Sequence, residues 1–292
     1  MKIILKSPAK VNLFLEIKNK RDDGYHNLES IMQTISLYDE LSFENANKDI
    51  ILECDDKSLP CDKKNLIYKA ALAVKTYFNI NKGVKIYLQK KIPLGAGLGG
   101  GSSNAATTIL ALVKLWDIKT THKELELIAT KLGADVPFFL TGGTCLCEGI
   151  GEIITPLKNI NNLNMILVNP AFEVSTSEVY KKINFPLTKP IKIHKIKHLI
   201  CNDLFNNKEA FKSCFNRLEE FVFADFTTIE KIKNLLNKLD CVSLMSGSGA
   251  TVFGIFDKDV SVEQLTYELN KTPWNFWFVS ATSLLVNQLD YL

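Results

Sequence analysis

Long apolar runs are missing from this 292-residue sequence. No uninterrupted stretch approaches the roughly 18 residues a helix needs to cross a bilayer, so a membrane-spanning protein is not expected. An excess of either charge is missing too. The 35 lysines and arginines against 32 acidic residues leave a net charge of +3, which argues against an electrostatic nucleic-acid surface. Zinc-ribbon pairs are absent: the seven cysteines (54, 61, 145, 147, 201, 214 and 241) are scattered, and Cys145-x-Cys147 is the nearest approach to C-x-x-C. They are expected to be reduced thiols in a cytoplasm. Near the start an apolar stretch of three residues meets Lys6 and then Pro8, so no signal peptide is expected. Internal repeats and low-complexity tracts are lacking as well. What remains, 46% hydrophobic and 23% charged residues, is the composition of an ordinary globular protein.

Residues 10–17 alternate, with Val11, Leu13, Leu15 and Ile17 on one face and Lys10, Asn12 and Glu16 on the other, as a strand requires. Lys10 and Asn12 therefore point the same way. A polar turn at 21–26 separates this strand from apolar segments at 28–37 and 41–53, which are expected to be two more strands. The spacing of Leu66, Ala70, Val74 and Phe78 predicts a helix over 65–78 that begins at Asn65. Residues 84–88 alternate as a strand, a glycine-rich segment fills 95–101, and Ser102, Ser103 and Asn104 open an apolar helix reaching about Trp116. Thr121 and Glu124 have capping-box spacing for a helix expected to stop at Gly133. Strands are expected at 144–148 and 163–168, and two more within 242–256; helices should open at Thr227 and at Ser261. A boundary near 157 divides the chain into 1–157 and 158–292, and beyond it helices alternating with antiparallel-looking strands predict an α+β second domain. The six lysines within 181–198 read as a solvated surface loop.

Five glycines and Ala96 between 95 and 101 would let backbone N–H groups converge, and the helix that follows adds its own free N–H groups and positive dipole end. Phosphate is the natural ligand of such a place, whereas a flexible connector would not explain why the glycines sit between a strand and an apolar helix. Gly95, Gly97 and Gly100 also satisfy G-x-G-x-x-G, yet Asp117, the acid at about the right distance, ends the helix instead of a second parallel strand. The dinucleotide context is therefore missing, and no Gly-Lys-Ser/Thr follows to make a Walker A loop. Ser246, Gly247, Ser248 and Gly249 form a second small-residue loop, either a hairpin turn or, with the first loop, a clamp on one nucleotide. Asp135 stands two residues before Pro137, the position of a helix N-cap. It could equally be the carboxylate that takes a hydroxyl proton, with Lys10 as the cation that spreads the charge of a phosphoryl group in transfer. His194 and His198 are four apart but crowded by Lys195 and Lys197 and have no acidic partner, so no metal is expected there. His122 reads as a surface residue of a first helical turn, and His26 sits beside Tyr25 in the turn after the strand that bears Lys10 and Asn12.

Together these residues resemble the GHMP kinases, whose three motifs look like Ser7-Pro-Ala-Lys-Val-Asn-Leu13, the segment 93–104, and Ser246-Gly-Ser-Gly-Ala250, in the same order and spacing. Within that superfamily, Arg21-x-Asp-Gly-Tyr-His26 and Leu132-Gly-Ala-Asp-Val-Pro137 are most similar to the branch whose alcohol substrate carries a cytidine diphosphate. The likeness spans nearly the whole chain and is weakest over 185–240, where only Asn202-Asp203 matches. The resemblance implies a fold of two α+β domains, an N-terminal one like the second domain of ribosomal protein S5 and a C-terminal ferredoxin-like one. It implies Asp135 as catalytic base with Lys10 beside it. It places ATP against Leu94, Gly95, Ala96, Gly97, Leu98, Gly99, Gly100, Gly101, Ser102, Ser103 and Asn104, with Asn65 and the loop of Ser246, Gly247, Ser248 and Gly249. It assigns the substrate to Asn12, Tyr25, His26, Thr176 and Tyr180, the aromatic rings holding cytosine. Mg²⁺ would accompany ATP, with Ser103 the one residue suggested as its ligand. Other readings stay open: a related kinase of homoserine, mevalonate or a sugar, an NAD-dependent oxidoreductase, or a nucleotide-binding protein without turnover. A monomer and a homodimer are both compatible with the sequence.

Overall fold

The alternation around Lys10 extends in both directions into β1 (Lys2–Lys20), which β2 (His26–Ala46) follows antiparallel after the polar turn. A computed structural model describes residues 2–160, 163–184, 187 and 190–283. The segments expected as two strands, 28–37 and 41–53, instead form the single long β2 and a short β3 (Ile50–Cys54). Pro8 faces Tyr38 while Ala9 faces Ile35, so Ser36 and Leu37 are extra residues on β2. This bulge carries the strand through its polar middle, and the turn at 47–49 then separates β3. Next come α1 (Leu66–Tyr77), capped by the Asn65 side chain, and β4 (Gly83–Gln89). They lead to α2 (Gly100–Leu115), α3 (His122–Thr130), α4 (Val136–Thr141), β5 (Thr144–Gly149) and β6 (Ile153–Pro156). The capping box of Thr121 and Glu124 forms as expected, but α3 stops at Thr130, short of Gly133.

The remaining elements are β7 (Asn164–Asn169), α5 (Thr176–Lys181), α6 (His194–Cys201), α7 (Lys208–Phe211), β8 (Phe215–Asn216), α8 (Glu219–Val222), α9 (Thr227–Lys238), β9 (Val242–Met245), β10 (Val252–Phe256), α10 (Val262–Leu269) and β11 (Asn275–Ser280). Where described, the lysine-rich stretch 181–198 is helical only at its two ends, Lys181 closing α5 and α6 beginning at His194. Ile193, Ile196 and Ile200 fall on one stripe at helical spacing and are all buried, which turns the lysines of α6 outward. Ser261 caps α10 through the Gln264 N–H, whereas α9 starts at Thr227 without a side-chain cap bond.

Two sheets result. The first runs β3-β4-β2-β1-β8, with β5 on β2 and β6 on β5; the second, all antiparallel, runs β11-β7-β10-β9. Helices α1 to α4 bury Ile67, Val74, Ile109 and Phe138 with Phe43 and Ile86 of the first sheet. Ala9, Val11 and Leu13 of β1 join Met165, Leu167 and Phe253 of the second sheet in another apolar cluster. Residues 7–16 of β1 are consequently buried on both faces, polar side included. Burial of a carboxylate and a guanidinium is tolerated when each satisfies the other: Glu16 and Arg217 pair at 2.7 and 2.8 Å. No described helix is long and apolar enough to cross a membrane.

Candidate active site

β1 presents Lys10 and Asn12 side by side, and their bonds fix both. Lys10 Nζ donates to Asn12 Oδ1 at 2.7 Å, Asn12 Nδ2 to Ser30 Oγ at 2.9 Å, and Ser30 Oγ to the Phe14 carbonyl at 2.7 Å. Asp135 Oδ2 lies 3.9 Å from Lys10 Nζ. The lysine side chain is 4% exposed and the carboxylate 32%, so the acid is the partner that an incoming ligand can reach. Lys10 is buried, with Gly99 at the start of α2 and Gly247 of the second glycine loop close against it. Burial pulls the Lys10 ammonium below its ordinary pKa of 10.5, and the Asp135 carboxylate opposes that pull.

Asp135 occupies the N-cap position of α4 but makes no cap hydrogen bond, and its own backbone is already helical (φ −82°, ψ −10°). Pro137 removes one of the two N–H groups that a cap could use, and Asp135 does not bond the other, on Phe138.

The two glycine loops touch. Ser246 Oγ donates to the Gly97 carbonyl at 3.0 Å, Thr251 N–H to the Ala96 carbonyl at 3.3 Å, and Lys10 N–H to the Leu98 carbonyl at 3.0 Å. Three successive carbonyls of the first loop are thus bound to protein. Gly99 takes a left-handed conformation (φ +69°) as the N-cap of α2, a place where a side chain would meet the Phe139 ring at 2.9 Å. The helix starts at Gly100, two residues earlier than Ser102, so the N–H groups of Gly100, Gly101 and Ser102 open its first turn without a side-chain cap. Such a turn favours an anion, through its donors and its dipole.

Beyond the loops, Val174 N–H reaches the Gly95 carbonyl at 3.5 Å and Thr176 Oγ1 lies 2.8 Å from Ser248 Oγ, so the start of α5 borders both loops. Tyr180, at the end of α5, meets His26 with ring centroids 5.5 Å apart and planes tilted by 44°. Burial raises the Tyr180 hydroxyl pKa, and the nearby Asp135 carboxylate adds to it; burial, then Lys20, lowers that of His26. Tyr25 is 61% exposed, its N–H held by Asp23 Oδ1 at 3.1 Å. His26 and Tyr180 are therefore brought together, within electrostatic reach of Asp135 and with Tyr25 in the adjoining turn.

Asn65 uses its side chain on its own helix, accepting from Ile67 N–H at 2.9 Å and donating to the Pro60 carbonyl at 2.8 Å. Its neighbour Leu66 comes within 3.5 Å of a β-carbon built on Gly101, which puts Asn65 near the far end of the first loop. At the near end a cleft of about 340 Å³ is lined by Asp55, Asp56, Lys90, Lys91, Ile92, Pro93 and Leu94. The Ser103 hydroxyl is fully buried and accepts from Ser7 Oγ at 2.8 Å, and Asn104 Oδ1 is buried without a hydrogen-bond partner. Among the described residues no group of three or more His, Cys, Asp or Glu side chains could hold a metal ion. Asn202 caps the exposed end of α6 and Asp203 pairs with Lys158, both on the surface. The segment from that region that does reach the loops is β8, whose Asn216 no sequence pattern singles out, because a two-residue strand has no periodicity.

A buried cation predicts a pH effect on stability. Because the folded-state pKa of Lys10 is depressed, its stabilising contribution is present above the unfolded value of 10.5 and is lost as pH falls through the folded value. The thermal midpoint of Lys10→Met, measured against the parent, should therefore look best at neutral pH and lose ground steadily as pH climbs towards 10.5. A difference that stays constant over that range would mean that Lys10 titrates normally.

The GHMP kinases N terminal domain model matches residues 65–143, and the GHMP kinases C terminal model matches 204–273. A 4-diphosphocytidyl-2-C-methyl-D-erythritol kinase of Clostridium botulinum is 41% identical over 96% of this chain and 100% of its own length. The protein of that name from Clostridium beijerinckii is 42% identical over 95% and 99%. A crystal structure of 4-(cytidine 5'-diphospho)-2C-methyl-D-erythritol kinase superposes with a TM-score of 0.80 at 30% identity, over 96% of this chain and all of that one. A homoserine kinase from Cytophaga hutchinsonii shares the fold, with a TM-score of 0.74 at 20% identity over 97% and 95% of the two chains. With both domain models matched and full-length relatives at this identity, the chain belongs to the GHMP kinases and, within them, to the family of 4-diphosphocytidyl-2-C-methyl-D-erythritol kinases.

Proposed function

We propose that this enzyme transfers the γ-phosphoryl group of ATP to the 2-hydroxyl of 4-diphosphocytidyl-2-C-methyl-D-erythritol, a step of the methylerythritol phosphate route to isoprenoids. The observation that carries the reading is the place of Asp135: 3.9 Å from Lys10, with the joined glycine loops around that lysine and the His26–Tyr180 pair close by. Asp135 takes the proton of the attacking hydroxyl. Lys10, held by Asn12, meets the negative charge of the phosphoryl group as it moves. The first-turn N–H groups at Gly100, Gly101 and Ser102 bind the phosphate chain, with Ser246, Gly247, Ser248 and Gly249 closing over it. The cleft beside Leu94 is the natural place for the rest of the nucleotide. Mg²⁺ would accompany ATP and neutralise phosphate charge, with Asp135 the carboxylate at hand to hold it and the Ser103 hydroxyl bonded to Ser7. The seven free cysteines are in keeping with a reducing cytoplasm.

The test is incubation with γ-labelled ATP and the cytidyl substrate, alongside homoserine, mevalonate and methylerythritol phosphate without the cytidyl group. Label should pass to the cytidyl compound alone. Equal transfer to methylerythritol phosphate would remove the base from recognition and refute this substrate. Tyr25→Ala tests the base slot directly, since each aromatic stacked on a base contributes about 1–3 kcal/mol in single-stranded nucleic acids, which corresponds to roughly 5- to 150-fold in Kd. Calorimetric titration should show that loss for the cytidyl substrate and almost none for ATP. Unchanged cytidyl binding would leave Tyr25 as a solvent-exposed turn residue.

A further inference from the structure

The second glycine loop is gripped from behind by a segment that none of the three motifs includes. Asn216 is 2% exposed, and its carboxamide nitrogen donates to the Met245 carbonyl at 2.7 Å and to the Gly247 carbonyl at 2.8 Å. Its oxygen accepts from Leu218 N–H at 2.9 Å. Three residues on, Glu219 Oε1 accepts from Met245 N–H at 2.8 Å while its other oxygen pairs with Lys233. Between them Arg217 is anchored to β1, its N–H donating to the Leu15 carbonyl at 2.9 Å and its guanidinium bonded to Glu16 at 2.8 and 2.7 Å. Lys10 and Asn12 lie on that same strand.

Only a carboxamide side chain offers two N–H donors on one neutral nitrogen and an acceptor beside it. Two carbonyls that flank Ser246 and converge on one nitrogen force the chain to turn at that serine, whose own hydroxyl reaches Gly97. This turn decides where Gly247 lies. A β-carbon built there would stand 3.3 Å from Lys10 Nζ and 3.5 Å from Asn12 Oδ1, so the loop backbone rests directly on the lysine.

We propose that Asn216 is a positioning residue for phosphoryl transfer, whose carboxamide, steadied by the Arg217–Glu16 pair, sets the loop of Ser246 to Gly249 over Lys10 without touching either substrate. The inference rests on the reaction proposed above, with ATP phosphates lying between that loop and α2. A misplacement on the order of 1 Å is enough to cost about 10²-fold in rate. Asn216→Asp replaces the donor with an oxygen that repels both carbonyls at nearly constant volume, and Asn216→Ala removes the grip altogether.

Steady-state kinetics and calorimetry of both variants, with thermal unfolding in parallel, decide the matter. The expected result is a folded protein whose kcat falls about 10- to 100-fold and whose KM for ATP rises, while the Kd of the cytidyl substrate changes less than about 2-fold. An unchanged kcat, equal loss of affinity for both ligands, or failure of both variants to fold would overturn the role and leave Asn216 a residue of the core. An inactive parent enzyme would refute the reaction itself, whereas an active parent with fully active variants refutes only the role of Asn216.

Discussion

Asp135→Asn will cut turnover by about 10²-fold or more and leave both substrates bound with nearly unchanged affinity. The substitution keeps shape and removes the proton acceptor. Its structural cost is small, because the carboxylate caps nothing on α4 and its 3.9 Å contact with Lys10 is long for an ion pair. Lys10 keeps its 2.7 Å bond to Asn12, so the cation stays in place when the acid is neutralised. Steady-state rates with calorimetric titration of each ligand separate the outcomes. Surviving turnover would move the base elsewhere and leave Asp135 as a partner of Lys10 only.

The residues of this site that could be read from the sequence are those whose signal is local. Five glycines in seven positions between a strand and an apolar helix imply convergent N–H groups whatever the rest of the chain does, and the loop indeed leads into the uncapped start of α2. Lys10 and Asn12 share a face because a strand has a period of two, and their 2.7 Å bond follows from that spacing. At Asp135 the cap and the base could not be told apart from the sequence, since Pro137 removes only one of the two N–H groups that a cap could use.

Burial of that polar face could not be read from the same pattern. Alternation in 10–17 implies one wet side, but the cover on β1 comes from residues far along the chain, Arg217 over Glu16 and Gly247 over Lys10. β8 escapes notice for the same reason: two residues carry no periodicity, and its place beside Phe14 and Leu15 is set by the buried ion pair that follows it. The polar middle of β2 misleads because a bulge lets a strand pass through residues that alone would read as a turn. In the lysine-rich stretch, charge density masks the Ile193, Ile196, Ile200 stripe that makes α6 a helix.

Gly97→Ala is expected to weaken ATP binding by more than about 30-fold and to leave the cytidyl substrate within about 3-fold of its original affinity. Gly97 has φ +74°, which an alanine adopts only at a cost of about 1 kcal/mol, and the larger effect is steric. The new methyl group would stand 2.1 Å from the Ser246 carbonyl oxygen and 2.9 Å from that of Gly249, so backbone must move on one side or the other. Moving it parts the two loops and breaks the 3.0 Å bond from Ser246 Oγ to the Gly97 carbonyl, the contact that aligns them on one phosphate chain. His26 and Tyr180 take no part in that contact, which is why the cytidyl compound should be spared. Gly101→Ala is the control: its methyl would meet only Leu66 at an ordinary 3.5 Å, inside a helix that prefers alanine to glycine. Calorimetric titration of ATP and the cytidyl substrate into each variant compares them. Loss of ATP at 97 with little change at 101 places the sensitivity in the contact between the loops. Equal loss at both positions would place it in the approach of phosphate to the helix N-terminus, and equal loss of both ligands at 97 would mean that the two loops hold the whole cleft together and not the nucleotide alone.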